Sequence, residues 1–159
     1  EPMQNDATKP KRKWFAALLT FAAGMVAMVG IGLAVKGTDQ AAFCANCHAM
    51  SEAAWTHKQS VHAQFDCNEC HTPYAIAEKL PYKTAVGLND IYVNTTDTIP
   101  NLIHTQAKMK DVIQANCRRC HLATTMTVAM DVKAYCTDCH RIVPHNKKLP
   151  IDRRKAADV

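Results

Sequence analysis

The chain has 159 residues, of which 8 are cysteine and 8 are histidine, while aromatic residues make up only 6%. This length excludes a Rossmann domain, a TIM barrel and a multidomain enzyme. Large side chains are too few to fill an ordinary interior, so another group is expected to supply the core. The formal charge of +5 would fit nucleic acid or an acidic surface, although it counts the polypeptide alone.

The first predicted element is a membrane helix. Residues 14–35 read WFAALLTFAAGMVAMVGIGLAV, 22 residues without a charge, and as a helix they would span about 33 Å. A cleaved secretory signal fits less well, because the apolar run is long and no clear cleavage site follows it. The preceding arm, residues 1–13, is expected in the cytoplasm by the positive-inside rule. Its basic residues are Lys9, Lys11, Arg12 and Lys13.

All the cysteines belong to four copies of one motif, CxxCH. The copies are Cys44-Ala-Asn-Cys47-His48, Cys67-Asn-Glu-Cys70-His71, Cys117-Arg-Arg-Cys120-His121 and Cys136-Thr-Asp-Cys139-His140. This is the attachment sequence of c-type haem, in which two thiols form thioethers with the porphyrin and the histidine supplies an axial nitrogen. Zinc sites or disulfides would leave the four adjacent histidines unexplained. The sequence therefore predicts four covalently bound haem c groups.

The predicted haem domain covers residues 37–159. Haem attachment of this kind takes place outside the bacterial inner membrane, so we expect the domain in the periplasm. The motifs start 23, 50 and 19 residues apart, which indicates two close pairs separated by a haem-free insertion at 72–116. We expect a mostly α fold with irregular loops, in which short helices carry the motifs, prolines such as Pro81 interrupt the chain and porphyrins form the core.

Four histidines outside the motifs could supply second axial ligands: His57, His62, His104 and His145. His62 precedes the second motif by five residues, and His145 follows His140 by five. Each is better placed for a haem other than that of its neighbouring motif, so His62 is assigned to the fourth haem and His145 to the third. His57 and His104 stay open between an axial role and a role at the surface or at a propionate.

Met50 follows the first motif at a short distance. Two helical residues cover about 3 Å, too little for Met50 to reach the opposite face of a haem held by His48. Met50 is therefore either a packing residue or a replacement for His48 on the same face.

A basic arm, one membrane helix and four CxxCH motifs within 159 residues resemble the NapC/NirT family of membrane-anchored tetrahaem cytochromes, which act as quinol dehydrogenases. The CxxCHxM form of the first motif is similar to the branch that provides the small subunit of cytochrome c nitrite reductase. The resemblance implies that Met50 ligates the first haem while His48 stays unbound. It implies proximal roles for His71, His121 and His140 and distal roles for His62 and His145. The sixth ligand of the second haem stays open between His57, His104 and a side chain of a partner.

The resemblance also implies a quinol region within the insertion, at residues 73–92. This segment mixes apolar residues and tyrosines with Lys79, Lys83 and Asp90, a composition suited to a membrane interface. Quinol oxidation releases two protons with two electrons and needs a proton acceptor and a hydrogen-bond donor. Asp90 is the better candidate for the acceptor, and Lys83 the better candidate for the donor or a charge partner; the resemblance places both beside the first haem. Without it, both would be interpreted as solvated charges on an amphipathic helix.

The implied function is oxidation of menaquinol and transfer of the electrons through four haems to a periplasmic multihaem nitrite reductase. The chain is not expected to reduce nitrite itself. The alternatives are an electron-transfer adaptor without quinol chemistry, a stand-alone reductase using the open first haem, or a quinol dehydrogenase for another enzyme such as periplasmic nitrate reductase.

The implied location is the inner membrane. A homodimer within the complex stays open, because the glycines and alanines of the membrane helix are only a weak association signal. Each oxidised histidine-ligated haem adds a charge of about −1, so four haems bring the molecule close to about +1. The basic balance therefore does not indicate nucleic acid.

Overall fold

The structure, a computed structural model, describes residues 9–127, 134–143, 145 and 149–153. Its contacts divide the chain into two units, residues 1–38 and 39–159. The described residues contain helices and loops and no strand, which confirms the mostly α fold. The helices are α1 (Lys9–Gly37), α2 (Ala41–Cys44), α3 (His48–Lys58), α4 (Cys67–His71), α5 (Ile76–Thr95), α6 (Ala107–Thr125), α7 (Cys136–Cys139) and a 3-10 helix (Ile151–Arg153).

The first unit is essentially α1, a helix of 29 residues. Residues 11–37 are long and apolar enough to cross a membrane, and side chains are exposed at every position from 11 to 34. A helix that is apolar on all sides is stable in lipid or in a large protein core rather than in water. The predicted membrane segment therefore corresponds to one continuous helix.

In the second unit, short helices carry the haem motifs, as the sequence predicted. The first motif joins α2, which ends at Cys44, to α3, which begins at His48. The second motif is α4 itself, and most of the fourth is α7. The third motif differs, because it lies in the second half of α6, which has 19 residues.

The insertion contains a long helix that the sequence analysis did not foresee. Pro81 was expected to interrupt the chain, but it lies inside α5, a helix of 20 residues. Proline has no N–H to donate to the carbonyl four residues earlier, here that of Ala77. Because Ala77 is only the second residue of α5, the lost bond falls near the helix start. The following residues continue the helix.

Polar contacts hold the motif-bearing helices together. The buried Asn116 side chain donates to the backbone carbonyls of Cys70, at 3.0 Å, and Thr72, at 2.8 Å, and so joins α6 to α4. Arg119 pairs with Glu69 across the same two helices at 3.0 Å. These contacts fix the second and third motifs next to each other.

Apolar packing contributes little to the interior. Among the described residues, only Ala49 and Ala54 are buried apolar side chains. This agrees with the expectation that groups other than side chains form the core.

Candidate functional site

A cleft of about 900 Å³ lies between α3, α5, the loop before α6 and residue 145. Its volume is in the range of ligand and cofactor sites. The side chains that line it carry several possible ligands and proton carriers, namely Met50, His71, Tyr82, Asp90, His104 and His145. Four of these were singled out from the sequence as site residues: Met50, His71, Asp90 and His145.

Met50 lies in the first turn of α3, two residues beyond His48. It lines the cleft, whereas His48 is exposed and is not among the lining residues. Side chains two residues apart in an α-helix point about 200° away from each other, so His48 and Met50 face different sides of α3. Of the two, only Met50 is positioned to reach a group bound in the cleft.

Two pairs of histidine rings have the spacing of axial ligands on a shared metal. The ring centres of His62 and His121 are 6.1 Å apart, and those of His71 and His145 are 6.0 Å apart. Bonds of about 2 Å from a metal to each imidazole nitrogen put the two ring centres about 6 Å apart. The third motif thus faces His62, and the second motif faces His145.

This pairing differs from the one assigned from the sequence, which gave His62 to the fourth haem and His145 to the third. From distance along the chain alone, only the haem of the nearest motif could be excluded as the partner of His62 and of His145. The folding of α4 against α6 selects between the other motifs.

His57 also lies close to His145, with ring centres 6.1 Å apart, while His104 lines the cleft with an exposed side chain.

His71 of the second motif and the neighbouring His145 are in the state that a metal ligand requires. Burial, reinforced by the charges of His145 and His57, lowers the pKa of His71 to about 4. Burial also lowers the pKa of His145, so both rings are neutral at neutral pH. The Nδ1 atom of His145 lies 3.0 Å from the carbonyl oxygen of Ala53. A donor N–H at Nδ1 leaves the Nε2 lone pair for a metal.

The described residues fit covalent haem. All eight cysteines are free, so each CxxCH motif has two thiols available for thioether bonds to a porphyrin. The Nδ1 atom of His62 is buried without a hydrogen-bond partner. Imidazoles paired at axial spacing and an interior poor in apolar side chains agree with porphyrins between the helices.

Successive motifs lie next to each other in chain order. Before haem is attached, the thiol of Cys44 in the first motif hydrogen-bonds that of Cys67 in the second, which lowers the pKa of Cys44 to about 7 and raises that of Cys67. Burial raises the pKa of Cys70, and the charge of Cys120 in the third motif adds to the rise. Burial and then the charge of Cys136 in the fourth motif raise the pKa of Cys117.

Asp90 lines the cleft with an accessible carboxylate. Partial burial raises its pKa above the ordinary value for aspartate. The charge of Asp90 also raises the pKa of Cys44, whereas that of Lys83 lowers it. Both residues predicted as the proton acceptor and the donor are therefore close enough to the first motif to influence it.

Lys83 is held by a residue that the sequence analysis missed. Its Nζ atom lies 2.5 Å from Asp39 Oδ1, and the Nζ atom of Lys79 lies 2.6 Å from Asp39 Oδ2. Burial alone would raise the pKa of Asp39, but hydrogen bonds from Lys79, Lys83 and Asn68 outweigh it and lower the pKa. Two features of the sequence are consistent with the contact between Asp39 and the two lysines. Lys79 and Lys83 have the i, i+4 spacing of one helix face, and Asp39 is the one charged residue between Lys36 and Cys44.

Comparison with known proteins gives a consistent set of similarities. The profile of the NapC/NirT cytochrome c family, N-terminal region, matches residues 7–150. The cytochrome c nitrite reductase subunit NrfH of Nitratidesulfovibrio vulgaris is 44% identical over 136 residues, which cover 85% of this chain and 86% of that protein. The cytochrome c-type protein TorC of Escherichia coli K12 is 30% identical over 89% of this chain but only 45% of its own length.

A solved structure is also similar. One chain in a crystal structure of the cytochrome c nitrite reductase NrfHA complex bound to the HQNO inhibitor superimposes with a TM-score of 0.79. The two sequences are 42% identical, and the match covers 91% of this chain and 99% of that one.

Proposed function

Because the chain belongs to the NapC/NirT cytochrome c family and carries covalently bound haem c, we propose that it is a membrane-anchored quinol dehydrogenase that oxidises menaquinol and supplies a nitrite reductase with electrons. The observation that carries this proposal is the cleft shared by Met50 and Asp90. It brings a thioether ligand and a carboxylate with a raised pKa to one site beside the first motif.

The proposal includes four haems, one for each CxxCH motif. Such haems accept one electron at a time. Met50 is the proposed axial ligand of the first, in place of His48. His71 with His145 and His121 with His62 are the proposed pairs of the second and third, supported by their ring spacings of 6.0 and 6.1 Å. His140 is the proposed proximal ligand of the fourth.

In the proposed reaction, one menaquinol gives one quinone, two electrons and two protons. Asp90 accepts a proton from a quinol hydroxyl at the cleft, because its raised pKa makes it a stronger base than ordinary aspartate. Lys83 donates a hydrogen bond to a quinol oxygen. In this proposal Lys83, beside the cleft, binds the quinol, and Asp90, which lines the cleft, takes a proton from it.

The order of the motifs supports a direction for the electrons. Cys44 interacts with Cys67, Cys70 with the charge of Cys120, and Cys117 with the charge of Cys136, which supports a path for electrons through the motifs from first to fourth. Since the proposed quinol site is beside the first motif, the fourth is the proposed exit.

The proposed acceptor is the catalytic subunit of a multihaem nitrite reductase. Support comes from the 44% identity to a nitrite reductase subunit and from the likeness to a chain of the NrfHA complex. Another terminal reductase is a second candidate, because TorC, at 30% identity, and NapC of Haemophilus influenzae, at 26%, are also similar to this chain.

The proposed topology follows from α1 and its flanks. Residues 1–13 form a cytoplasmic arm, 14–35 span the bacterial inner membrane and 37–159 form the periplasmic haem domain, with the haem-free insertion at 72–116. Lipid surrounds α1, and a homodimer within the complex is part of the proposal.

The decisive experiment is to mix the purified full-length protein in detergent with a reduced water-soluble menaquinol analogue and to follow the haem absorption. We expect rapid haem reduction that HQNO slows by competition. An electron-transfer adaptor would instead stay oxidised with the quinol and yet be reduced by dithionite, and that result would contradict the proposal. Nitrite consumption by the isolated chain would favour the stand-alone reductase.

A further inference from the structure

Asp39 is a buried carboxylate, with 7% of its surface exposed, at the start of the second unit. Three side-chain donors surround it: Lys79 Nζ at 2.6 Å, Lys83 Nζ at 2.5 Å and Asn68 Nδ2 at 2.8 Å. A buried carboxylate is costly unless it is paired and hydrogen-bonded. These contacts therefore make the position of Asp39, and of the groups that hold it, well defined.

The cluster formed by Asp39, Asn68, Lys79 and Lys83 joins three parts of the second unit. Asp39 precedes α2, Asn68 lies in α4 and both lysines lie in α5. The backbone carbonyl of Asp39 also accepts a hydrogen bond from the Asn68 N–H at 3.4 Å. The segment before the first motif is thus fixed against the second motif and against the proposed quinol helix.

The cluster borders the proposed quinol site, because Tyr82, the chain neighbour of Lys83, lines the cleft, whereas Lys83 itself does not. Lys83 and Asp90 are seven residues apart in α5, which is about two turns, and so share a face of the helix. With two ammonium groups and one carboxylate, the cluster keeps a net positive charge. A free lysine side chain would sample many rotamers, whereas Asp39 restricts Lys83, whose side chain is only 19% exposed.

We propose that Asp39 is a positioning residue of the quinol site, which holds the Lys83 ammonium in place to donate to a quinol oxygen. Asp39 does not touch the quinol and acts through Lys83. Lys79 serves as the second counter-charge of Asp39 and has no contact with the substrate. This inference rests on the proposed quinol dehydrogenase function and adds a residue that neither the motifs nor the cleft lining includes.

The test compares Asp39→Asn, Lys83→Gln and the double variant in the menaquinol-analogue assay, with Lys58→Gln as the matched control, because Lys58 is an exposed lysine of α3 outside the cluster and the cleft lining. We expect Asp39→Asn to raise the KM for the analogue by about tenfold, as when a positioned binding group loses its orientation. The double variant should be no worse than Lys83→Gln, because both changes remove the same interaction. Lys58→Gln should keep the wild-type KM.

Thermal unfolding of each haem-loaded variant separates positioning from a purely structural role. If Asp39 only joins α4 to α5, its substitution lowers the unfolding temperature while the KM is unchanged, and that result overturns the inference. Additive effects of Asp39→Asn and Lys83→Gln overturn it as well. If Asp39→Asn does not fold, Asp39→Glu, which keeps the negative charge, replaces it in the assay. Asp39→Glu should raise the KM for the analogue less than Lys83→Gln does.

The wild-type protein distinguishes this inference from the function on which it rests. If the wild type is not reduced by the analogue, both are lost together. If the wild type is reduced normally and every Asp39 variant keeps its KM, only the role of Asp39 is lost.

Discussion

Asp90 and Lys83 illustrate how environment assigns roles to single residues. They lie on the same helix, but Lys83 is fixed by Asp39 at 2.5 Å, whereas Asp90 lines the cleft and has a raised pKa. A carboxylate that holds its proton more tightly is a better acceptor for a quinol proton. The ion-paired lysine is suited to donate a hydrogen bond.

Replacing Asp90 with asparagine should slow haem reduction by menaquinol about 100-fold, the usual contribution of a general base. Asp90 can accept a proton only when ionised, so the wild-type rate should fall as the pH drops through its raised pKa. This fall should begin at a higher pH than for an ordinary aspartate, and it should be absent in the variant. Stopped-flow absorbance across the acidic range measures both effects.

Glu78→Gln is the control for Asp90→Asn, because Glu78 is a second carboxylate that lines the same cleft. This substitution should leave the pH dependence of haem reduction unchanged. A wild-type rate for Asp90→Asn at every pH would exclude the proposed base.

Replacing Met50 with leucine should alter the spectrum and the midpoint potential of one haem, because the thioether ligand is removed. Potentiometric titration of the full-length protein measures this. Met109→Leu is the matched control, since Met109 also lines the cleft but accepts a hydrogen bond from Tyr82 at 3.4 Å. Identical titrations of the wild type and Met50→Leu would refute ligation by Met50.

Chemistry that is local in the chain could be predicted from the sequence: the CxxCH motifs indicate covalent haem, and the spacing of Met50 from His48 leaves Met50 as a packing residue or a replacement for His48. Contacts between distant residues were beyond it. His62 meets His121 across 59 positions, and Asp39 meets Lys83 across 44. Such pairs depend on how the helices pack. Hydrophobic periodicity predicts this packing poorly when porphyrins rather than side chains fill the interior.

At the scale of helices, α4 and α6 form a unit through Asn116. The Asn116 side chain satisfies the carbonyls of Cys70 and Thr72, which lie at the end of the second motif. Because Asn116 directly precedes the third motif, this contact controls how the second and third motifs approach each other. The helix α5 was harder to foresee, because Pro81 near its start resembles a helix-ending signal.

Asn116→Ala should destabilise the protein by about 2 kcal/mol, because two buried carbonyls lose their donor. The free energy of unfolding can be obtained from guanidinium titration followed by far-ultraviolet circular dichroism. Asn94→Ala, at an exposed position of α5, should change it by less than about 0.5 kcal/mol. Equal stabilities of the two variants would show that the contact between α4 and α6 is not important for folding.

At the scale of the whole molecule, an apolar helix precedes a domain built around haem motifs. The basic residues at the start of α1 and the haem motifs that follow the helix were the two sequence signals for orientation. The sequence could predict that helix and the mostly α class, because both follow from composition and from continuous apolar runs. The interactions between successive motifs could not be predicted in this way, because they depend on tertiary contacts.

A reporter fused after Val159 should reveal the orientation. Alkaline phosphatase, which is active only in the periplasm, should be active in this fusion, whereas a fluorescent protein that folds only in the cytoplasm should be dark. The reverse pattern would contradict the proposed topology. Exchanging Lys11, Arg12 and Lys13 for glutamate should weaken the orientation signal and reduce the amount of haem-loaded protein, measured by haem staining of membranes.

The scarcity of buried apolar side chains, only Ala49 and Ala54 among the described residues, has a consequence for biogenesis. A newly made chain without porphyrins gains little free energy from collapse, since almost no hydrocarbon leaves water. Its second unit therefore acquires a stable shape only as cofactors are joined to it, so maturation and folding are one process. The cellular level of the protein should consequently follow haem supply, because chains that miss their cofactors remain open to proteases.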